Sequence, residues 1–265
     1  MNIPIWVIAV AFLFEAFFWL SVYVLIIRTG FAKKIHAMPV IAMCGNISWE
    51  FMLGMGTFSA SMKDRFPACP VSWHECPETL IGGLTLSAAV LDVFIAFIII
   101  RWGVNQIKTD WLKKHFSWFV LAGIATAFVI LITSVSNLSL ENPYPTCSGD
   151  MTVGCVEQAP APDHIGLNED GGFTTGAVLA VIMNMLFITW IIHRDDLRGQ
   201  SFFIALFMAL GNASAYVVAM LWSGFVLAPI THVLSIVALT LNFTYVYLYV
   251  RRAKELGMNP YALRW

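Results

Sequence analysis

Charge is what this sequence has least of. Only 12% of its 265 residues are Asp, Glu, Lys or Arg, about half the share of an ordinary soluble domain. With 59% hydrophobic residues and a mean hydropathy of +0.76, a soluble globular chain is excluded and a membrane protein is indicated. Lysine is missing from every long apolar run: Lys33, Lys34, Lys63, Lys108, Lys113, Lys114 and Lys254 all fall in loops or the tail. A retinal Schiff base in the last span is therefore excluded. Histidine is nearly as scarce there. Only His232 lies well inside a run, whereas a b-type haem held by two imidazoles needs a pair. No Cys or His cluster has the spacing of a structural zinc site, so no metal is expected. No basic n-region precedes the first apolar run, 3–27, which is too long for a signal-peptide h-region. It reads as a retained span.

What is present is a series of apolar runs, each long enough for the roughly 20 residues a bilayer-crossing helix requires. They cover 3–27, 37–58, 79–103, 116–138, 171–193, 201–222 and 226–250. The expectation is an all-α, polytopic membrane protein: one domain, 1–265, of seven transmembrane helices. Basic residues orient it. With the N-terminus outside and the C-terminus inside, thirteen of the fifteen Lys and Arg residues face inward, and only Lys63 and Arg65 face out. That is the positive-inside rule. The segment 139–170 holds six acids and no Lys or Arg, in keeping with an outer position.

The outer loops 59–78 and 139–170 carry Cys69 with Cys76 and Cys147 with Cys155, while Cys44 lies inside the second run. Paired cysteines on the outer side are disulfide candidates in an oxidising compartment. Their spacing leaves pairing within or between loops open.

The polar residues at mid-depth carry the functional signal. Glu15, Glu50 and Asp92 fall near the middle of the first three runs, and Asn184, Asn212 and Asn242 at middle depths of the last three. A lone intramembrane amide is ordinarily an interhelical hydrogen-bonding group, which suits Asn184 and Asn212. An acid costs about 2.5–3.5 kcal/mol to insert and marks a site. Asn46 and Glu50 are one helical turn apart and share a face. A neutral carboxylic acid in an apolar chamber is a general acid, and aromatic faces such as Trp49 attract positive charge. Protonation of an apolar substrate, followed by stabilisation of the resulting cation, fits that set.

These residues resemble a known family. "GNISWEF", 45–51, is similar to the "GN..WE" signature of the integral-membrane terpene cyclases, best known from fungal meroterpenoid and indole-diterpene pathways, with bacterial relatives. "LDVFIAF", 91–97, and "RGQS", 198–201, resemble further stretches of that family, and the seven-span layout is also its own. The resemblance implies a cofactor-free cyclase, isomerase or lyase in type, acting on a lipophilic prenylated substrate with or without an epoxide. A proton starts a carbocation cascade that ends in proton loss or water capture. It maps the essential acid onto Glu50. The family's second acid, in the last span three residues before a Tyr, corresponds to Asn242 in "NFTY", with Tyr245 retained. An amide cannot donate a carboxyl proton, so either Glu50 works with Asp92 or Glu15, or the chemistry differs, for example in acting on an alkene or a different substrate.

The expected catalytic residues are thus Glu50 and Asp92, and the expected substrate-binding residues Asn46, Trp49, Tyr245, Asn242, Glu15 and His232. The expected partners are the bilayer and the substrate, with no nucleic acid and no cofactor. The chain is expected in a bacterial inner membrane, or in the reticulum membrane of a fungus. A proton-coupled transporter is the alternative, since relays also use buried acids. Repeated halves typical of many transporters are not visible, although Pro39 and Pro229 could kink spans two and seven. "RDDLRG", 194–199, lacks the third acid of a magnesium-diphosphate motif and suggests salt bridges among Arg194, Arg198 and the paired aspartates.

Overall fold

A computed structural model of the chain describes residues 5–64, 77–138, 169–222 and 227–262. Seven α-helices fall among them: α1 (Ile5–Lys33), α2 (Val40–Asp64), α3 (Pro77–Trp102), α4 (Asp110–Leu138), α5 (Glu169–His193), α6 (Phe202–Trp222) and α7 (Pro229–Glu255). A short 3-10 turn, Gly103–Gln106, follows α3. No strand occurs among the described residues. Six helices are long and apolar enough to cross a membrane, so the protein is all-helical and multi-pass. The part of α2 whose side chains are described, Val40–Met55, is a shorter apolar helix, and it carries Asn46 and Glu50 of the site. Cys69, Cys76, Cys147 and Cys155 lie outside the described residues, as does most of 59–78 and 139–170.

Several helices run past the apolar stretch that announces them. α1 continues through Arg28 to Lys33, and α7 through Arg251 and Arg252 to Glu255. Basic residues in a last turn complement the negative end of the helix dipole, so charge extends these helices instead of ending them. α1 stops where Lys34 takes a left-handed φ of 53° and the Ile35 N–H reaches back to the Gly30 carbonyl at 3.3 Å. This is the Schellman pattern of a helix C-terminus. Pro39 immediately precedes α2, and Pro229 opens α7. Neither kinks a helix; each stands where a missing N–H costs nothing.

The packing order explains the shape of the interior. α1 packs on α6 and α3, α3 on α2, α2 on α5, α5 on α7, and α7 on α6. Six helices therefore close a ring. α4 stands outside it, against α2 and α5, and turns Trp118 and Val129 outward at 73% and 61% exposure. Phe14, Phe17, Phe51, Phe94, Phe243 and Tyr247 also point away from the core, as expected where lipid replaces water as the neighbour.

Candidate active site

The inward face of α1 reads Phe12, Glu15, Ala16, Trp19, Leu20, Tyr23, a three- and four-residue spacing that places all six side chains on one side. All six line a cavity of about 240 Å³ inside the ring. α2 adds Asn46, Trp49, Glu50 and Leu53, and α3, α5, α6 and α7 supply the rest. α4 contributes none of the described lining residues. Two glycines make room for the indoles. A Cβ on Gly176 would stand 2.9 Å from the Trp49 ring, and one on Gly211 2.9 Å from Trp19 Nε1. Trp49 is further fixed by its Nε1–H, which donates to Thr175 Oγ1 at 3.2 Å.

At one end of the cavity four buried side chains form a chain of donors. Asn46 Nδ2 donates to Asp92 Oδ2 at 2.8 Å and to the Tyr23 hydroxyl oxygen at 2.8 Å, and lies 3.2 Å from Glu50 Oε1. The Tyr23 hydroxyl donates in turn to Glu50 Oε1. Helix spacing puts Asn46 and Glu50 together, whereas Tyr23 and Asp92 arrive from α1 and α3. Asn46 has two hydrogens for three oxygens, so it ties both acids to a single nitrogen. Tyr23, Asn46 and Glu50 face the cavity, while Asp92 stands behind them, fully buried. Glu50 Oε2 and Asp92 Oδ1 accept no hydrogen bond, and no Lys, Arg or His pairs with either acid among the described residues.

The structure thus brings Glu50, Asp92 and Asn46 together, with Trp49 and Glu15 on the same cavity wall. Three other candidates lie elsewhere. Tyr245 is buried beside Phe187, with ring centroids 5.3 Å apart, and its hydroxyl donates to Gln200 of "RGQS". Asn242 donates to the Ala238 carbonyl of its own helix at 3.0 Å. His232 stands behind Tyr216, whose hydroxyl is 2.8 Å from His232 Nδ1. None of the three is a lining residue. Asn184 bonds Ala180 O at 2.8 Å and reaches Ala238 O of α7 at 3.5 Å, the interhelical role its sequence context suggests. Asn212 does line the cavity.

Tyr23 was not legible in advance. A tyrosine in an apolar run looks like an interfacial anchor. Its signal was the eight-residue interval from Glu15, which places both on the face that also carries Trp19.

At the basic end of the bundle, Asp196 pairs with Arg198 at 2.7 Å and Arg194 at 3.4 Å, so part of "RDDLRG" is an ion-pair loop. Trp190 carries the Arg194 guanidinium 4.7 Å from its ring centre and stacks with His36 at 5.1 Å. Burial, reinforced by the Arg194 charge, pushes the His36 imidazole down to about 4.

The fold and site define a class: a multi-pass helical membrane protein with an acid-bearing, largely apolar chamber. Residues 4–149, just over half the chain, match the model of the Pyr4-like transmembrane terpene cyclases, and the protein belongs to that family. The resemblance carried by "GNISWEF" and "LDVFIAF" is borne out. The chain is also similar to the Pyr4-family terpene cyclase mfmH of Annulohypoxylon moriforme, with 27% identity over 115 residues. That alignment spans 42% of this chain and 39% of the relative. No solved structure matches. The family match contains Tyr23, Asn46, Glu50 and Asp92 and ends before "RGQS" and "NFTY".

Proposed function

We propose that this chain is a terpene cyclase that protonates a prenylated substrate from Glu50 and guides the resulting cation through the aromatic-walled cavity. One observation carries the reading. Glu50 lines an apolar chamber with no cation beside it among the described residues, and shares the Asn46 nitrogen with a second acid. Two carboxylates in that setting would leave a double negative charge in an apolar interior, at a cost far above that of neutral acids. The pair therefore holds at least one proton.

In the proposed step the Glu50 O–H bond breaks, and its proton goes to an epoxide oxygen or an alkene carbon. On an epoxide an oxygen lone pair takes the proton and a C–O bond breaks, its electrons going to the oxygen. On an alkene the π pair forms the new C–H bond. Either leaves a carbocation. The Tyr23 O–H and Asn46 N–H, already aimed at Oε1, stabilise the carboxylate that remains, as preorganised donors do. Asp92 lies outside the cavity and acts through Asn46, holding or replenishing the proton. Trp19 and Trp49 present faces that attract the cation without bonding to it. Substrate enters laterally from the bilayer. Seven spans with the N-terminus outside complete the proposed topology, with α2 as the span devoted to the site. The transporter alternative is not favoured, because the chain belongs to a family of cyclases.

Glu50→Gln keeps the shape and removes the acid. It is expected to slow consumption of a farnesyl phenol or its terminal epoxide by at least about a hundredfold, the usual worth of a positioned general acid. Membranes containing the variant, compared with wild type by mass spectrometry, provide the test. Full cyclisation by Glu50→Gln removes the proposal. Asp92→Asn at wild-type rate removes only the partnership.

A further inference from the structure

A cation that is started must also be ended, and the cavity has a second chemically distinct place. Tyr216 of α6 lines the wall, and its hydroxyl is 2.8 Å from Nδ1 of His232 on α7, with the rings edge-on at 87°. The separation of this pair from the acids follows from helix register. Glu50 is level with Tyr23, to which it is hydrogen-bonded. Trp19 is level with Gly211, against which it packs. α6 runs antiparallel to α1, so Tyr216 lies five residues beyond Gly211 in the direction away from Tyr23. At about 1.5 Å per residue, Tyr216 stands roughly 13 Å along the bundle from Glu50.

We infer that Tyr216 and His232 form the base that ends the cascade, taking the proton whose loss turns the last carbocation into an alkene. The inference rests on the cyclase reading above. The phenol oxygen of Tyr216 accepts a proton from a carbon next to the cationic centre. The electrons of that C–H bond become the new C=C bond. The proton already on the phenol passes to the lone pair of His232 Nδ1, which requires the imidazole tautomer with its hydrogen on Nε2. Tyr216 ends neutral as it began, and the positive charge moves from hydrocarbon to imidazole. No oxidant, metal or further reactant is needed.

Glu15 stands on the α1 wall at a similar level, but no hydrogen bond or ion pair reaches it among the described residues. It has nothing to pass a proton to, and Tyr216 has. His232 touches no substrate in this scheme and is a positioning and relay residue. Tyr216 is the catalytic one.

The test uses membranes containing the full chain and the same two probes, farnesyl phenol and its terminal epoxide, and reads the ratio of products irrespective of rate. Tyr216→Phe removes the hydroxyl. His232→Gln keeps an acceptor for that hydroxyl but takes no proton. In both variants the fraction of the wild-type alkene is expected to fall about tenfold or more, within the range of a lost general base. Alcohols from water capture and alkenes from earlier cations replace it. Added imidazole is expected to restore the alkene in His232→Ala and not in Tyr216→Phe. A purely structural histidine would not respond in that way. Wild-type product ratios in both Tyr216→Phe and His232→Gln, or failure of imidazole to restore His232→Ala, overturn the relay. Glu50→Gln in the same series keeps the two readings apart: its activity bears on initiation alone, and the product ratios on termination alone.

Discussion

Tyr23 shows how much one hydroxyl can hold in an apolar bundle. It donates to Glu50 and accepts from Asn46, so its removal strips Glu50 of its hydroxyl donor and leaves Asn46 alone to serve both acids. A buried polar group without its partner costs about 1–3 kcal/mol. Tyr23→Phe is therefore expected to lower the thermal unfolding midpoint in detergent. It should also slow turnover about tenfold, the worth of one hydrogen bond to a charged group. A variant with wild-type rate would remove Tyr23 from the stabilisation of the Glu50 carboxylate. His36 makes a different prediction. Its folded-state value near 4 lies below the ordinary 6.5, so the unfolded chain binds the proton first as pH falls. The stability contributed by the neutral imidazole is complete above about 6.5 and is lost on descending toward 4. The amount is on the order of 3 kcal/mol. Unfolding midpoints at pH 7 and pH 4.5 should differ clearly in wild type and much less in His36→Gln.

At the scale of elements, the ring depends on close approaches as much as on apolar faces. Gly176 and Gly211 let two indoles lie flush with the cavity wall. Adding a methyl at either site forces Trp49 or Trp19 inward, and overpacking of this kind costs about 1–3 kcal/mol. Gly211→Ala and Gly176→Ala are expected to raise KM for longer prenyl chains more than for shorter ones. Paired assays on geranyl and farnesyl phenols check this, and equal effects on both would mean that the indoles do not bound the chamber. α4 predicts the opposite. Val129→Leu, on a helix outside the ring and facing lipid, is expected to leave turnover and unfolding midpoint unchanged. Much of this scale was legible from sequence, because apolar runs of about twenty residues admit few alternatives. The helix ends were less so, since the runs register hydropathy alone while dipole-compensating Lys and Arg extend α1 and α7. What could not be read was which helix stays outside the ring. The apolar run of α4 looks like the others, and only packing partners distinguish it.

At the scale of the whole molecule, the site proved partly legible for a reason that can be stated. Acids in a bilayer announce themselves by their cost, so Glu50, Asp92 and Glu15 stood out and the structure puts all three in or beside one chamber. Tyrosine carries no such penalty. Tyr23 and Tyr216 therefore give no such signal in their apolar runs, and Tyr245 is marked by the family motif although it packs beside Gln200. The proposed topology makes a global prediction. A reporter fused after Trp265 should be protected from protease added outside intact cells, and one fused before Met1 should be cut; the reverse pattern overturns the orientation.

The donor chain around Glu50 comes entirely from α1, α2 and α3, while Tyr216 and His232 come from α6 and α7. The proposed trigger and the proposed terminator are thus encoded in opposite halves of the gene. On that reading a lineage can alter which skeleton is released by drift in the later half while the ignition chemistry stays fixed in the earlier one. Exchange of the second half between relatives becomes a direct route to new hydrocarbons.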